Sequence, residues 1–200
     1  MRIIGGRLGG RRIKVIDAAG LRPATGRVRE ALFSMLGARG AIFPGARVLD
    51  LFAGAGSVGI EALSRGAGHC VFVEKQAAVA RVLRENLHGL GIPSGQAPVL
   101  LAEVAKALAR LAGQTFDLVA IDPPYGQGLL PPTLALLVAH GLLVQGGVIA
   151  AEIEAGLELE ASAVPDVLRC LTDRTYGQTR IIIWTLETPA SLSIPEPSIP

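Results

Sequence analysis

The chain has 200 residues, half of them hydrophobic, enough for one substantial α/β domain and a small appendage. Two cysteines, Cys70 and Cys170, form no C-x-x-C pair, so neither a zinc site nor a disulfide framework is implied, and no apolar h-region marks a signal peptide. The net charge of +2 hides an asymmetry: residues 1–29 carry eight basic side chains against Asp17 alone, a basic end suited to a polyanionic partner.

Along the chain, residues 1–16 read as short strands around Gly5-Gly6 and Gly9-Gly10. Residues 25–37 read as a helix with Val28, Ala31, Leu32, Met35 and Leu36 on one face. From residue 45 the pattern alternates. Strands are expected at 47–52, 69–74, 97–102, 116–122 and 147–153, and helices at 57–66, 76–90, 103–112 and 132–140. That alternation predicts an α/β fold, a mostly parallel sheet with helices on both faces. Residues 169–186 read as two strands meeting near Tyr176-Gly177, an antiparallel pair that closes a seven-stranded Rossmann-like sheet. No Asp, Glu, Lys or Arg lies between Asp122 and Glu152, but Pro131-Pro132, Gly141 and Gly146-Gly147 cut the interval into pieces too short to span a membrane. The organisation expected is a basic extension over 1–40, a main domain over 41–186, and a disordered proline- and serine-rich tail over 187–200.

"LDLFAGAGSVG" sets Gly54, Gly56 and Gly59 in a G-x-G-x-x-G array between a strand and a helix, the context a nucleotide-type cofactor loop requires. Glu74 ends the next strand, 20 residues beyond Gly54, where a carboxylate accepts both hydroxyls of a ribose. Asp50 lies inside the first strand. A pyrophosphate gains nothing from a carboxylate there, whereas the cationic sulfonium of S-adenosyl-L-methionine (SAM) does. Asp50, Phe52, Gly54, Gly56, Glu74 and Glu103 are therefore the expected cofactor-binding set. For Glu103, a hydrogen bond to an adenine amine and an ordinary helix-start acid remain alternatives.

"DPPY", at Asp122–Tyr125, follows the strand "FDLVAI". Prolines cannot continue a ladder, since each lacks an N–H. A methyl donor needs a nucleophile, and the amine of a nucleobase is a poor one because its lone pair is delocalised into the ring. Acceptors on both N–H groups favour a pyramidal nitrogen. The Asp122 carboxylate and the Pro123 carbonyl are the expected acceptors, Pro123 and Pro124 fix the turn, and Tyr125 offers a face on which an extruded base stacks. This is positioning and electrostatics, with no metal and no covalent intermediate.

Taken together, "MRIIGG", "LRPATGRVREALFSMLG", "VLDLFAGAGSVGIEALSRGA" and "FDLVAIDPPYGQGLL" resemble the RsmD family, bacterial 16S ribosomal RNA guanine-N2 methyltransferases, over roughly residues 1–186. "LGGRRI" departs from the Arg-Gly-Arg/Lys form of that family. The resemblance implies SAM as methyl donor and a loop guanine of 16S rRNA as target, met in free RNA, an assembly intermediate or the small ribosomal subunit. With no signal peptide or spanning segment in view, the protein is expected to be cytoplasmic, a monomer without membrane contact. Arg2, Arg7, Arg11, Arg12, Arg22, Arg27 and Arg29 are the expected RNA-binding residues, with Arg22, Arg27 and Arg29 alternatively bracing the SAM pocket. Three rivals stand beside this reading. A DNA adenine-N6 or cytosine-N4 methyltransferase would share the turn, but 200 residues leave no room for a target-recognition domain. A nicotinamide-dependent oxidoreductase leaves DPPY and the basic arm unexplained. A non-catalytic RNA-binding module leaves the intact glycine loop without purpose.

Overall fold

The computed structural model describes residues 1–15 and 26–187. Helix α1 (Gly26–Gly37) precedes the alternating part of the chain. This runs β1 (Arg47–Leu51), α2 (Ser57–Ser64), β2 (His69–Glu74), α3 (Ala77–Gly89), β3 (Val99–Leu101), α4 (Val104–Arg110), β4 (Phe116–Ile121), α5 (Leu130–Ala139) and β5 (Leu143–Glu154). The hairpin of β6 (Leu168–Tyr176) and β7 (Thr179–Leu186) ends it. The seven strands lie in the order β3-β2-β1-β4-β5-β7-β6. β1 to β5 are parallel, and β7 inserts antiparallel between β5 and β6. The order turns back between β1 and β4, and the crevice outside the carboxyl ends of such strands is where open α/β sheets bind ligands.

The strands read as apolar runs because both faces are covered. On one face Val48, Ala120, Ala150, Ile181 and Ile183 pack under α1, α2 and α3. On the other, Leu49, Val119, Ile149, Ile182 and Trp184 pack against α4 and α5. In α1, Val28, Leu32, Phe33 and Leu36 form the buried stripe, each contributing about 1.5–3 kcal/mol on burial. α5 begins at Leu130, two residues earlier than expected, with its prolines in the first turn. There the missing N–H would have no intrahelical partner in any case. β5 also starts earlier, at Leu143, before a register shift against β4.

The amino-terminal arm differs from its expectation. Instead of short strands it forms a 3-10 turn at Gly6–Leu8 and an isolated bridge between Arg2 and Arg12. Ile3, Leu8 and Ile13 enter the same core as α1 and α2. The arm is stitched on through polar side chains of the main domain. Buried Glu61 accepts from Ile4 N at 2.7 Å and Gly5 N at 2.8 Å. Ser64 Oγ accepts from Leu8 N at 2.9 Å. Asn86 Oδ1 accepts from Lys14 N, and Asn86 Nδ2 donates to Lys14 O and to Ala55 O. A Cβ on Gly6 would meet Ser64 O at 1.9 Å, so only glycine admits this approach. The tail expectation falls outside the described residues from 188 onward. Among the described residues no helix is long and apolar enough to cross a membrane.

Glu61→Ala strands two backbone donors at once. It should cost about 3 kcal/mol, or roughly 6–12 °C in Tm for a chain of this size, and should speed proteolysis within residues 1–15. An unchanged melting curve would show that the arm is held by its apolar contacts alone.

Candidate active site

At the carboxyl ends of β1, β2, β3 and β4 lies a cavity of about 790 Å³, within the range of small-molecule sites. Its walls include Phe52, Gly54, Glu74, Glu103, Asp122 and Tyr125. The turn after β1 begins with strain: Phe52 has φ +59°, a left-handed conformation that bulky residues rarely adopt. The three glycines then divide their work. Gly54, at φ +55°, lines the cavity, and a Cβ built there meets nothing nearer than Phe52 O at 4.0 Å. The space beside it is open for a ligand. Gly56 does not line the cavity, and its added Cβ would strike Leu83 Cδ1 at 2.4 Å. A Cβ on Gly59 would strike Phe72 at 2.3 Å. Those two let α2 settle on β2 and α3.

Glu74 is pre-arranged by backbone donors. Its Oε2 accepts from Gly54 N at 3.0 Å and its Oε1 from Gln76 N at 2.7 Å. An ionised carboxylate has about four acceptor sites, so two remain for hydroxyls in the cavity. Asp50 behaves differently from its expectation. It is buried outside the cavity wall, and its Oδ2 accepts from Gly59 N at 2.9 Å. It satisfies an orphan donor in the first turn of α2, whose N-cap Gly56 has no side chain to do so. Glu103 lines the cavity, but its carboxylate is exposed and pairs with Lys106 at 3.2 Å.

The turn Asp122–Tyr125 closes the other side. Asp122 N donates to Leu51 O at 3.4 Å, which ties the turn to the end of β1. Neither the Asp122 carboxylate nor the Pro123 carbonyl has a hydrogen-bond donor among the described residues. Tyr125 is 40% exposed. Its hydroxyl lies 3.2 Å from Thr179 Oγ1 on β7, and Gly126 N donates to Glu154 Oε1 at 2.9 Å. The ring is thus held at its rim with a face still open.

Glu152, on β5, was not anticipated from sequence. Asp50, Asp122 and Glu152 keep the alternation of Val48, Ala120 and Ala150, so they share the face under α1 to α3. The register pairs Ile121 with Ala151, so Asp122 follows beside Glu152. Glu152 is 6% exposed, and its Oε2 has no partner. Burial pushes its carboxyl up to about 7, opposed by the Arg29 guanidinium. Burial does the same to Asp50, also to about 7, against the Gly59 N–H. Asp122 is driven well above the usual carboxylate range by desolvation, then by Glu152 and Asp50. Acids spaced by two at the end of an apolar strand, as in "AAEIE", were the available signal.

The arginines separate into groups. Arg29 is 3% exposed and donates to Arg2 O at 3.0 Å and to the Met1 sulfur. Its burial corrects the expectation of RNA contact. Arg11 caps the end of α3, donating to Gly89 O and Leu90 O. Arg2 donates to Gly10 O. Arg7, Arg12 and Arg27 are exposed with no side-chain partner among the described residues. Arg22 lies outside those residues.

Comparison with known proteins covers nearly the whole chain. The family model described as "Conserved hypothetical protein 95" matches residues 1–185. "Ribosomal RNA small subunit methyltransferase D" of Escherichia coli K12 is 41% identical over 159 residues, 78% of this chain and 77% of that protein. The protein of the same name from Haemophilus influenzae is 35% identical over 178 residues, 88% of this chain and 89% of its own length. The solved structure of a hypothetical protein from Thermus thermophilus superposes with a TM-score of 0.77 at 32% identity, covering 94% of this chain and 99% of that one. With a family model matched over residues 1–185, and relatives this similar over most of their length, the chain belongs to the RsmD family.

Proposed function

We propose that the chain is a SAM-dependent methyltransferase acting on the exocyclic N2 amine of a guanine in small-subunit ribosomal RNA. The observation that carries this reading is the Asp122–Tyr125 turn. It stands with two unspent acceptors and an open aromatic face in the wall of the cavity that Gly54 and Glu74 begin. The residues present suit SAM: room beside the Gly54 backbone for close approach, two free acceptor sites on Glu74 for ribose hydroxyls, and carboxylates that favour a cation nearby.

When bound, SAM supplies an electrophilic methyl group on a positively charged sulfur. The protein's own part is positioning. Tyr125 stacks the extruded base. The Asp122 carboxylate and the Pro123 carbonyl accept the two amine N–H bonds and favour a pyramidal nitrogen with an available lone pair. Were the methyl of bound SAM transferred to that amine, an ionised Asp122 carboxylate would stabilise the positive charge left on the nitrogen. Asp122 then takes the surplus proton. Exposed Arg7, Arg12 and Arg27 supply phosphate contacts. Incubating the protein and labelled SAM with unmethylated small subunits, then mapping the modified base, tests the reading. Label on no guanine N2 would overturn it.

Three further outcomes follow from the same geometry. Glu74→Ala should weaken SAM binding about ten- to a hundredfold, read by calorimetry; unchanged affinity would remove Glu74 from the ribose. In single turnover with saturating SAM, activity should fall in the order wild type, Tyr125→Phe, Asp122→Asn, then Asp122→Ala and Tyr125→Ala. Asp122→Ala should lose about a hundred- to a thousandfold. A Tyr125→Phe variant as inactive as Asp122→Ala would give the hydroxyl a chemical role.

The third outcome concerns pH. Asp122 accepts best when ionised, and its carboxyl is raised, so activity should be lost on acidification at a pH above the ordinary carboxylate range. Glu152→Gln removes the nearest negative charge, favours ionised Asp122, and should move that acid limb to lower pH. Coincident limbs in the two proteins would show that the carboxyls titrate independently.

A further inference from the structure

We propose that the β6–β7 hairpin is an RNA-docking surface, with Tyr176 stacking a nucleotide next to the target and Arg174 holding its phosphate. This rests on the methyltransferase reading above and extends the site beyond its catalytic turn.

The sheet register makes the argument. β7 runs against β5, so the hairpin tip comes to the same sheet edge as the catalytic turn. Residues opposite one another in an antiparallel pair share a face. Arg174 faces Ile181, which faces Glu152, and Glu152 lies beside Asp122. One row therefore crosses the sheet from Asp122 to Arg174, three strand spacings, or about 15 Å. In the next row Tyr176 faces Thr179, the residue that touches the Tyr125 hydroxyl. The only two tyrosines of the chain thus both meet Thr179 at this edge, Tyr125 through its hydroxyl and Tyr176 as its strand partner.

Both are presented to solvent, Tyr125 at 40% and Tyr176 at 38%. The Arg174 side chain is exposed and makes no ion pair or hydrogen bond among the described residues. Its neighbours differ: Arg180 is spent on Asp173 and on Leu157 O, and Arg169 on Glu187. The tip is also held in place, since Ala155 N donates to Gln178 O at 2.9 Å. A positioned ring with an unpaired guanidinium two residues away is the pairing that single-stranded RNA recognises: a π-face for a base and a cation for its phosphate. Continuity with the turn that receives the target base fixes the occupant as the RNA strand flanking that base.

The test uses the full chain carrying Arg174→Ala and Tyr176→Ala together, with Tyr176→Phe beside it. Probes are protein-free small-subunit rRNA and assembled unmethylated subunits. The double variant should bind either RNA roughly five- to a hundredfold more weakly and lose about one from the salt slope. It should raise KM for RNA while leaving kcat at saturating RNA, SAM affinity and Tm near wild type. Tyr176→Phe should match wild type, since the ring does the stacking. Unchanged RNA affinity and salt slope in the double variant would overturn the proposal. So would a loss seen only on assembled subunits, which would make a ribosomal protein the occupant. Failure of the wild type to methylate any RNA would instead sink the function proposed above, so the two failures are distinguishable.

Discussion

A tight turn frees backbone N–H groups that no strand or helix can satisfy, and burying them unpaired costs roughly 1–3 kcal/mol each. This chain answers with carboxylates. Glu74 takes up Gly54 N and Gln76 N, Asp50 takes up Gly59 N, and Glu61 takes up Ile4 N and Gly5 N. Each acid is more than nine-tenths buried, a position a lone carboxylate could not hold. The glycine loop, the seat of α2 and the docking of the arm all hang on this exchange. The cavity inherits its shape from it.

The alternating part of the fold was legible because a parallel sheet covered on both faces leaves continuous apolar runs, and its helices leave stripes. β2 fell where expected, and the β6–β7 hairpin turned where expected, because Gly177 at φ +61° suits the turn. The arm was not legible. Gly5-Gly6 and Gly9-Gly10 look like breaks between strands, yet Gly6 is required by the close approach of Ser64 O, a contact made across more than fifty residues. Of the site, Gly54, Glu74 and the Asp122–Tyr125 turn line one cavity as the spacing suggested. Asp50, Gly56 and Arg29 lie outside its wall. Composition marks an acid or an arginine as noteworthy, but only the fold shows whether its polar atoms are spent within the protein.

The charge distribution has a consistent logic. Negative groups gather under the cavity floor, where burial raises the proton affinity of Asp50, Asp122 and Glu152, and the charges of Glu152 and Asp50 raise that of Asp122 further. Unspent positive groups sit outside it, on the arm and on the hairpin. The interior suits a cation and the rim suits a polyanion. A modest net charge is therefore the sum of two opposed fields, each facing a different kind of molecule.

The hydrogen bonds of Asn86 to Lys14 carry a consequence for how the protein is made. Lys14 and Asn86 are 72 residues apart, so the arm is synthesised well before the helix that receives it. At ribosomal speeds of about 5–20 residues per second the nascent arm waits roughly 4–14 s without its partner. Throughout that interval the Lys14 backbone lacks the Asn86 side chain that it pairs with in the folded protein. Charges spaced among apolar residues oppose aggregation of an unfolded segment, and Arg2, Arg7, Arg11 and Arg12 are so placed among Ile3, Ile4, Leu8 and Ile13. Arg11 donates to the end of α3 in the folded chain, so its guanidinium is engaged there only once that helix has been made.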